Sequence, residues 1–325
     1  MVENTDTFNR RIDYLRISIT DRCNLRCIYC MPAEGVKNLP HSEVLRYEEI
    51  ATVAQAAASI GINKLRLTGG EPLVRLGLSD LIRMLSKIKG IDDIALTTNG
   101  ILLKRFASEL KEAGLKRVNI SLDSLKKDRY QHITRTGQIK DALEGIEFAK
   151  EIGLNPVKIN MVVIKGTNDD EVTDFARLSI EKGWHVRFIE PMPFVDNTTF
   201  SFVPIGEIIE RLKVLGTLEP YPSGNGNGPA KYYKFAGASG TIGFISPLSE
   251  CFCSSCNRLR LTVDGMLRPC LMSDHELDLK PALRNGGTFS DIKLSLLHAI
   301  EAKPERHKLV EGQSQKGRAM CQLGG

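Results

Sequence analysis

The chain has 325 residues, 42% of them hydrophobic, with a formal net charge of +5; that length supplies a core for one large domain or two ordinary ones without covalent staples. The polar start MVENTDTFNRRIDY lacks the apolar run of a signal peptide, and IATVAQAAASIGI is too short and too polar to span a bilayer, so no membrane role and a cytoplasmic location are expected. Eight cysteines, clustered rather than spread, argue against a disulfide framework and for metal, while a mildly basic charge suits an anionic ligand and an ordinary surface equally.

In chain order, short β-branched runs alternate with longer helical patterns. YLRISIT (14–20) is the first strand, followed by a cysteine-bearing loop and a helix over 47–59. KLRLTG (64–69) leads to a helix at 79–88, IALTTN (94–99) to one at 102–113, and RVNISLD (117–123) to one at 139–151. VKINMVVI (157–164) precedes a helix at 169–181, and HVRFIE (185–190) one at 204–214. These six βα units predict a parallel sheet.

Strands covered on both faces read as continuous apolar runs, whereas these alternate. One face carries Leu15, Ile17, Ile19, Leu65, Leu67, Val118, Ile120, Leu122, Val157, Ile159 and Met161; the other carries Arg16, Ser18, Thr20, Arg66, Thr68, Thr97, Asn99, Asn119, Ser121, Asp123, Lys158 and Asn160. Six strands are too few to close an eight-stranded barrel, so the predicted fold is α/β, an incomplete (β/α)6 TIM-like barrel with a wet, polar concave face. The competing architecture, an open doubly wound sheet, would turn Arg16, Arg66 and Lys158 into a helical layer. After the Gly/Pro/Asn-rich stretch YPSGNGNGPAKYY the rhythm changes, and a cysteine-bearing C-terminal extension follows. The expected division is 1–215 for the partial barrel and 216–325 for the extension, which binds a second metal centre and covers the barrel opening.

The loop after the first strand reads DRCNLRCIYC, placing Cys23, Cys27 and Cys30 as C-x3-C-x2-C. Three ligands do not close a structural zinc site, but on a four-iron cluster they leave one iron open. That pattern, with Tyr29 before its third cysteine and TGGEPL (68–73) after the second strand, resembles the radical S-adenosylmethionine (SAM) superfamily. The resemblance implies a [4Fe–4S] cluster on Cys23, Cys27 and Cys30 whose open iron chelates SAM, and homolysis of SAM to a hydrogen-abstracting 5′-deoxyadenosyl radical. Glycines 69 and 70 would let backbone approach a ligand closely.

A second set lies in CFCSSCNRLRLTVDGMLRPCL (251–271): Cys253 and Cys256 form C-x-x-C, and Cys270 follows. On spacing alone Cys251 or His275 would complete a zinc site. Against zinc, Arg258 and Arg260 sit two apart on one side of an extended strand beside a ligand, suited to bidentate recognition of phosphate or carboxylate. Together with the N-terminal triplet and the terminal Gly-Gly, this segment resembles the branch of radical SAM enzymes that cyclise GTP at the first step of molybdenum cofactor biosynthesis.

That closer resemblance, over nearly the whole chain, implies a second [4Fe–4S] cluster on Cys253, Cys256 and Cys270, its open iron meeting guanine. It implies GTP contacts at Arg16, Arg66, Thr97, Lys158, Arg258, Leu259 and Arg260, with Arg16, Arg258 and Arg260 in catalytic roles, and SAM contacts at Tyr29, Gly70, Ser121 and Met192. The radical would take hydrogen from ribose C3′, and C3′ would attack C8, giving 3′,8-cyclo-7,8-dihydro-GTP after reduction and protonation. Gly324 and Gly325 match a tail that reaches into the active site, although a frayed terminus is the general expectation. Cys251 and Cys321 are expected to be free thiols. The implied partners are a flavodoxin- or ferredoxin-type reductant and, through the product, cyclic pyranopterin monophosphate synthase, with a monomeric or homodimeric enzyme. The rivals are a radical SAM enzyme with another substrate, such as a peptide, and a zinc-stabilised nucleic-acid-binding protein.

Overall fold

The computed structural model describes residues 4–194, 200–222, 228–307 and 317–324. Residues 223–227 of the expected linker and Gly325 of the tail lie outside them. Six strands form where alternation placed them: β1 (Tyr14–Ser18), β2 (Lys64–Thr68), β3 (Asp93–Thr98), β4 (Arg117–Ser121), β5 (Lys158–Val162) and β6 (His185–Ile189). The helices between them are α1 (Tyr47–Ser59), α2 (Leu78–Ser86), α3 (Leu103–Glu112), α4 (Lys127–Thr134), α5 (Ile139–Glu151) and α6 (Val172–Glu181), with α7 (Ile205–Leu212) after β6. Helix α4 was not anticipated: its apolar stripe is too short to show a period.

The C-terminal third does not form a sheet of its own. Strands β7 (Leu218–Pro220), β8 (Lys231–Phe235), β9 (Thr241–Ile245), β10 (Arg258–Leu261), β11 (Met266–Arg268) and β12 (Leu277–Asp278) join the first six in the order β12-β11-β10-β1-β2-β3-β4-β5-β6-β9-β8-β7. β10 runs parallel to β1 and β9 parallel to β6, so the parallel region outgrows the six predicted strands at both edges. Antiparallel pairings with β11 and β8 cap these additions, and among the described residues the two ends of the sheet do not meet. The barrel is partial and open.

One face of the sheet carries the core. Leu15, Ile17, Leu65, Leu67, Ile120, Ile159 and Val186 pack with Val53 of α1, Ile82 of α2, Ala107 of α3, Ile146 of α5 and Phe175 of α6 in a single apolar cluster. The helices therefore lie on that side, and the alternate residues face a cavity lined by Arg16, Arg66, Thr97, Asn119, Ser121, Lys158 and Asn160. This excludes the doubly wound alternative, since a second helical layer would have to bury those polar side chains.

The C-terminal elements close the outside of the barrel near β1. Helix α9 (Phe289–Glu301) starts on a capping box, in which Asp291 accepts the Thr288 amide at 2.7 Å and Thr288 Oγ1 accepts the Asp291 amide at 3.3 Å, and it packs on α1. Arg284, at the end of α8 (Lys280–Arg284), donates to both carboxylate oxygens of Glu49 on α1, at 2.8 and 3.0 Å. The same carboxylate accepts the Arg46 amide at the start of α1. Burial works against the Glu49 charge, but the Arg284 bonds outweigh it and hold the carboxyl near about 2. No helix among the described residues is long and apolar enough to cross a membrane.

Candidate active site

The cavity lies against the polar face of the sheet and the loops that leave the C-terminal ends of its strands, where βα architectures place their chemistry. All six predicted cluster cysteines line it, three toward each end: Cys23, Cys27 and Cys30 on the loop after β1, and Cys253, Cys256 and Cys270 around β10.

Protein contacts fix the first loop tightly. The Cys30 amide bonds to Cys27 O at 2.9 Å and the Leu25 amide points at Cys23 Sγ, 3.4 Å away. Arg26 donates back to Cys23 O at 2.6 Å, and Arg135 donates to Arg26 O and Met31 O, tying the loop to the end of α4. Tyr29 donates its hydroxyl to Asp123 at 2.7 Å, linking the loop to the residues after β4. Burial pushes Cys23 up to about 12 and Asp123 up to about 6.

The GGEP segment is a structural partner of that loop. A Cβ on Gly70 would stand 2.3 Å from Arg22 O, so glycine is required there because backbone meets backbone; close approach to a ligand, the sequence-based reason, is not what forces it. Glu71 then bridges two strands: its oxygens accept from the Leu73 amide, Thr98 Oγ1 and the Asn99 amide at 3.1, 2.7 and 2.7 Å. Burial raises this carboxyl to about 7 in spite of those bonds.

At the other end the register sets cations side by side. Arg16 of β1 pairs with Arg260 of β10 on one side and Arg66 of β2 on the other, so three arginines lie abreast across neighbouring strands about 4.8 Å apart. Tyr14 pairs likewise with Arg258 and Lys64. Arg66 bonds to the Tyr14 hydroxyl and lies 3.4 Å from Thr97 Oγ1. Lys158 stands 3.3 Å from Tyr232 of β8, and burial lowers it to about 8. Like charges packed abreast repel, and burial followed by Arg260 pushes Arg16 well down. The arrangement is a site for an anion of several charges.

The second cysteine set lies within this field. Arg258 donates to Cys256 Sγ at 3.5 Å, and Lys303 bonds to Arg258 O and Pro269 O at 2.8 and 2.7 Å. Burial pushes the Cys256 thiol up, but Arg258 and Lys303 outweigh it and bring it down to about 6.

Several predicted site residues line this cavity: Arg16, Tyr29, Arg66, Gly70, Thr97, Ser121, Lys158, Met192, Arg258 and Arg260. Leu259 is a correction. Its side chain is fully buried in the apolar core on the opposite face of β10, which leaves only its backbone to make a contact outside the core. His275 is exposed and is not part of the compact donor grouping around Cys253 among the described residues. Cys321 is a free thiol, as expected, and it is buried in the cavity wall, where its hydrogen bond with Cys30 lowers it and raises Cys30.

Residues that sequence reasoning missed include Arg117, Arg187, Tyr232 and Lys303. Arg187 had a readable signal, because Val186 and Phe188 enter the core and leave Arg187 on the polar face beside Asn160. Its Nε and Nη2 have no hydrogen-bond partner among the described residues. The tail also enters the site. Arg318 grips Asp264 with two bonds of 3.1 and 2.8 Å, and Arg260 donates to Gly324 O at 2.9 Å. Gly324 has φ +71°, and a Cβ there would lie 2.6 Å from Thr68. The tail is therefore placed, not frayed, over 317–324.

An open parallel barrel with C-x3-C-x2-C on its first loop defines the radical SAM class of enzymes. The family model of the Radical SAM superfamily matches residues 17–179, and that of Molybdenum Cofactor Synthesis C matches 184–309. The GTP 3′,8-cyclase of Pelotomaculum thermopropionicum is 55% identical over 324 residues, 98% of this chain and 99% of that one. Its counterpart in Moorella thermoacetica is 53% identical over 322 residues, with 98% and 99% covered. Native anSMEcpe with bound AdoMet superposes with a TM-score of 0.61 at 18% identity, over 93% of this chain and 84% of that chain. Streptococcus suis SuiB gives 0.61 at 14% identity, over 92% and 77%; these two show a shared fold. The chain belongs to the GTP 3′,8-cyclase family of the radical SAM superfamily.

The family's cofactors are SAM and [4Fe–4S] clusters, and the donor sets fit them. Thiolates on separate irons of a cubane stand farther apart than donors sharing one ion, and neither triplet forms a compact single-ion grouping among the described residues.

Proposed function

We propose that this chain cyclises GTP to 3′,8-cyclo-7,8-dihydro-GTP, the first step of molybdenum cofactor biosynthesis, with GTP at the β10 end of the cavity and SAM at the β1-loop end. The observation that carries the reading is the in-register row Arg260–Arg16–Arg66. When bound, the clusters and SAM supply the one-electron chemistry that starts hydrogen abstraction. The chain's own residues bind and orient. Arg16, Arg66 and Lys158 neutralise triphosphate charge, and the burial of Arg66 and Lys158 strengthens their contacts. Thr97 and the backbone of Leu259 add polar contacts, and Arg258 and Arg260 hold the base beside Cys253, Cys256 and Cys270. Tyr29, Gly70, Ser121 and Met192 surround SAM next to Cys23, Cys27 and Cys30.

Tyr29 acts through its 2.7 Å bond to Asp123, which fixes the cluster loop against β4. The Met320–Leu323 turn and Gly324 shield the row from solvent, with Arg260 as the contact. The electrons come from a flavodoxin- or ferredoxin-type protein, and the product passes to cyclic pyranopterin monophosphate synthase. The test is anaerobic reconstitution followed by incubation with GTP, SAM and a reductant. Cyclised nucleotide and two cubanes' worth of iron and sulfide are expected; deoxyadenosine without GTP consumption would move the chain to another substrate.

A further inference from the structure

Cys251 belongs to neither cluster triplet, yet it has close company. Its Sγ, the Sγ of Cys253 and a ring nitrogen of His307 lie within 4.8 Å of one another, the one such grouping of three metal-binding donors among the described residues. Cys251 and Cys253 flank Phe252 just before the turn Cys253–Ser255, while His307 comes from the segment after α9. Arg10 clamps the two segments together, donating to Cys253 O at 2.8 Å, Glu305 O at 2.9 Å and Pro304 O at 2.8 Å. Arg10 is itself held by buried Asp6 at 2.6 Å. Cys253 and His307 are buried and Cys251 is exposed. Two donors are thus fixed by packing, and the third is free to adjust.

We propose that Cys251, Cys253 and His307 form a mononuclear zinc site in the cluster-free chain, and that sharing Cys253 makes this site and the second iron–sulfur cluster mutually exclusive. Two thiolates, one imidazole and a water complete zinc's tetrahedral preference. Zn–S and Zn–N bonds place donors about 3.5–3.8 Å apart, so the grouping must contract by at most about an ångström, and rotation of exposed Cys251 supplies that. His307 Nε2 lies 4.0 Å from Cys251 Sγ and 2.9 Å from Pro247 O, so ligation through Nε2 exchanges the carbonyl for the metal. Both thiols lose their protons to the solvent on binding. Cys256 and Cys270 are not part of the grouping. Zinc here withholds one ligand from the second triplet and so blocks assembly of that cluster, whichever substrate the cluster serves.

The experiment uses the full-length, cluster-free chain with Cys23→Ala, Cys27→Ala and Cys30→Ala, so that the first triplet contributes no metal binding. Cobalt(II) is titrated in and then displaced with zinc. One equivalent should bind with a thiolate-to-cobalt charge-transfer band. Cys251→Ser, at an exposed position, should halve that band and weaken zinc by at least about tenfold. His307→Asn should weaken zinc while leaving the band near full strength, and circular dichroism checks its fold. Cys256→Ser and Cys270→Ser should change zinc affinity by no more than about twofold. In the chain with its first triplet intact, iron and sulfide counts should show the reverse: Cys251→Ser keeps two clusters, Cys270→Ser keeps one, and one equivalent of zinc added beforehand also leaves one. Zinc affinity that follows Cys256 and Cys270 and ignores Cys251, or the absence of stoichiometric binding, would overturn the proposal.

Discussion

The loop after β1 and the turn before β10 each bring three thiols to one cavity, but into opposite surroundings. Near Cys23 and Cys27 the ionisable neighbours include the buried carboxylates Glu71 and Asp123, and each is occupied by protein donors. Near Cys256 they are Arg258, Arg260 and Lys303. Burial dominates at the first end and pushes Cys23 to about 12, whereas cations outweigh burial at Cys256 and bring it to about 6. The ligand pattern is repeated; the field around it is not. A polyanion gains at the second end and finds no unshared cation row at the first. The proposed division of labour between SAM and GTP therefore rests on the surroundings of the cysteines more than on the cysteines themselves.

The largest expected break in this comparison is Cys256→Ser. It should lower cyclisation by about a thousandfold or more, equivalent to about 4 kcal/mol of barrier, while reductive SAM cleavage survives. Product and deoxyadenosine, quantified in parallel, separate the two. Next comes Arg16→Ala, which removes the middle of the arginine row. A lost charge-assisted bond is worth about 1.5–3 kcal/mol, so GTP affinity should fall roughly 10–150-fold with SAM affinity unchanged, as read by equilibrium dialysis of each ligand.

Smaller, and directed at the tail, is Arg318→Ala. It breaks the bidentate hold on Asp264 and frees the segment that Arg260 contacts through Gly324. Turnover should drop about tenfold with little change in melting temperature; a tail that merely decorates the surface would leave turnover intact.

The smallest effect is in pH. Lys158 is lowered to about 8 by burial, with Arg187 and Arg117 adding to the shift and Tyr232 opposing it. Below that pH it is charged, so GTP affinity should decline as pH rises through about 8, by about three- to tenfold, and Lys158→Arg should flatten the decline. Stability should move the other way. Lys158 is harder to protonate folded than unfolded, so between about 8 and its ordinary value the unfolded chain binds more protons and rising pH favours the fold.

Much of this comparison was legible in the sequence because period-2 alternation separates two faces without reference to anything distant. Arg16, Arg66, Thr97 and Lys158 could be placed from that rule alone, and the structure puts them in the cavity. Arg187 obeyed the same rule and was missed because β6 was not split into faces. Other features were beyond any local rule. The β1–β10 pairing joins Tyr14 to Arg258, 244 residues away, and only that register sets Arg16 between Arg66 and Arg260. The same long reach hid Lys303 beside Cys256 and His307 beside Cys251, since neither lies near its partner in the chain. Leu259 was carried along with its neighbours although alternation on NRLRL sends it to the core. At Gly70 the sequence identified the need for glycine, while the reason, contact with Arg22 O, required a fold.

The most direct test of the division between the two ends is the GTP dissociation constant of two full-length variants, one with Cys23, Cys27 and Cys30 replaced by serine and the other with Cys253, Cys256 and Cys270 replaced, each reconstituted anaerobically. Loss of the second triplet should weaken GTP by at least about tenfold, while loss of the first should leave GTP binding nearly unchanged and abolish SAM cleavage. Equal GTP affinity in the two variants, or a loss confined to the first, would contradict the account.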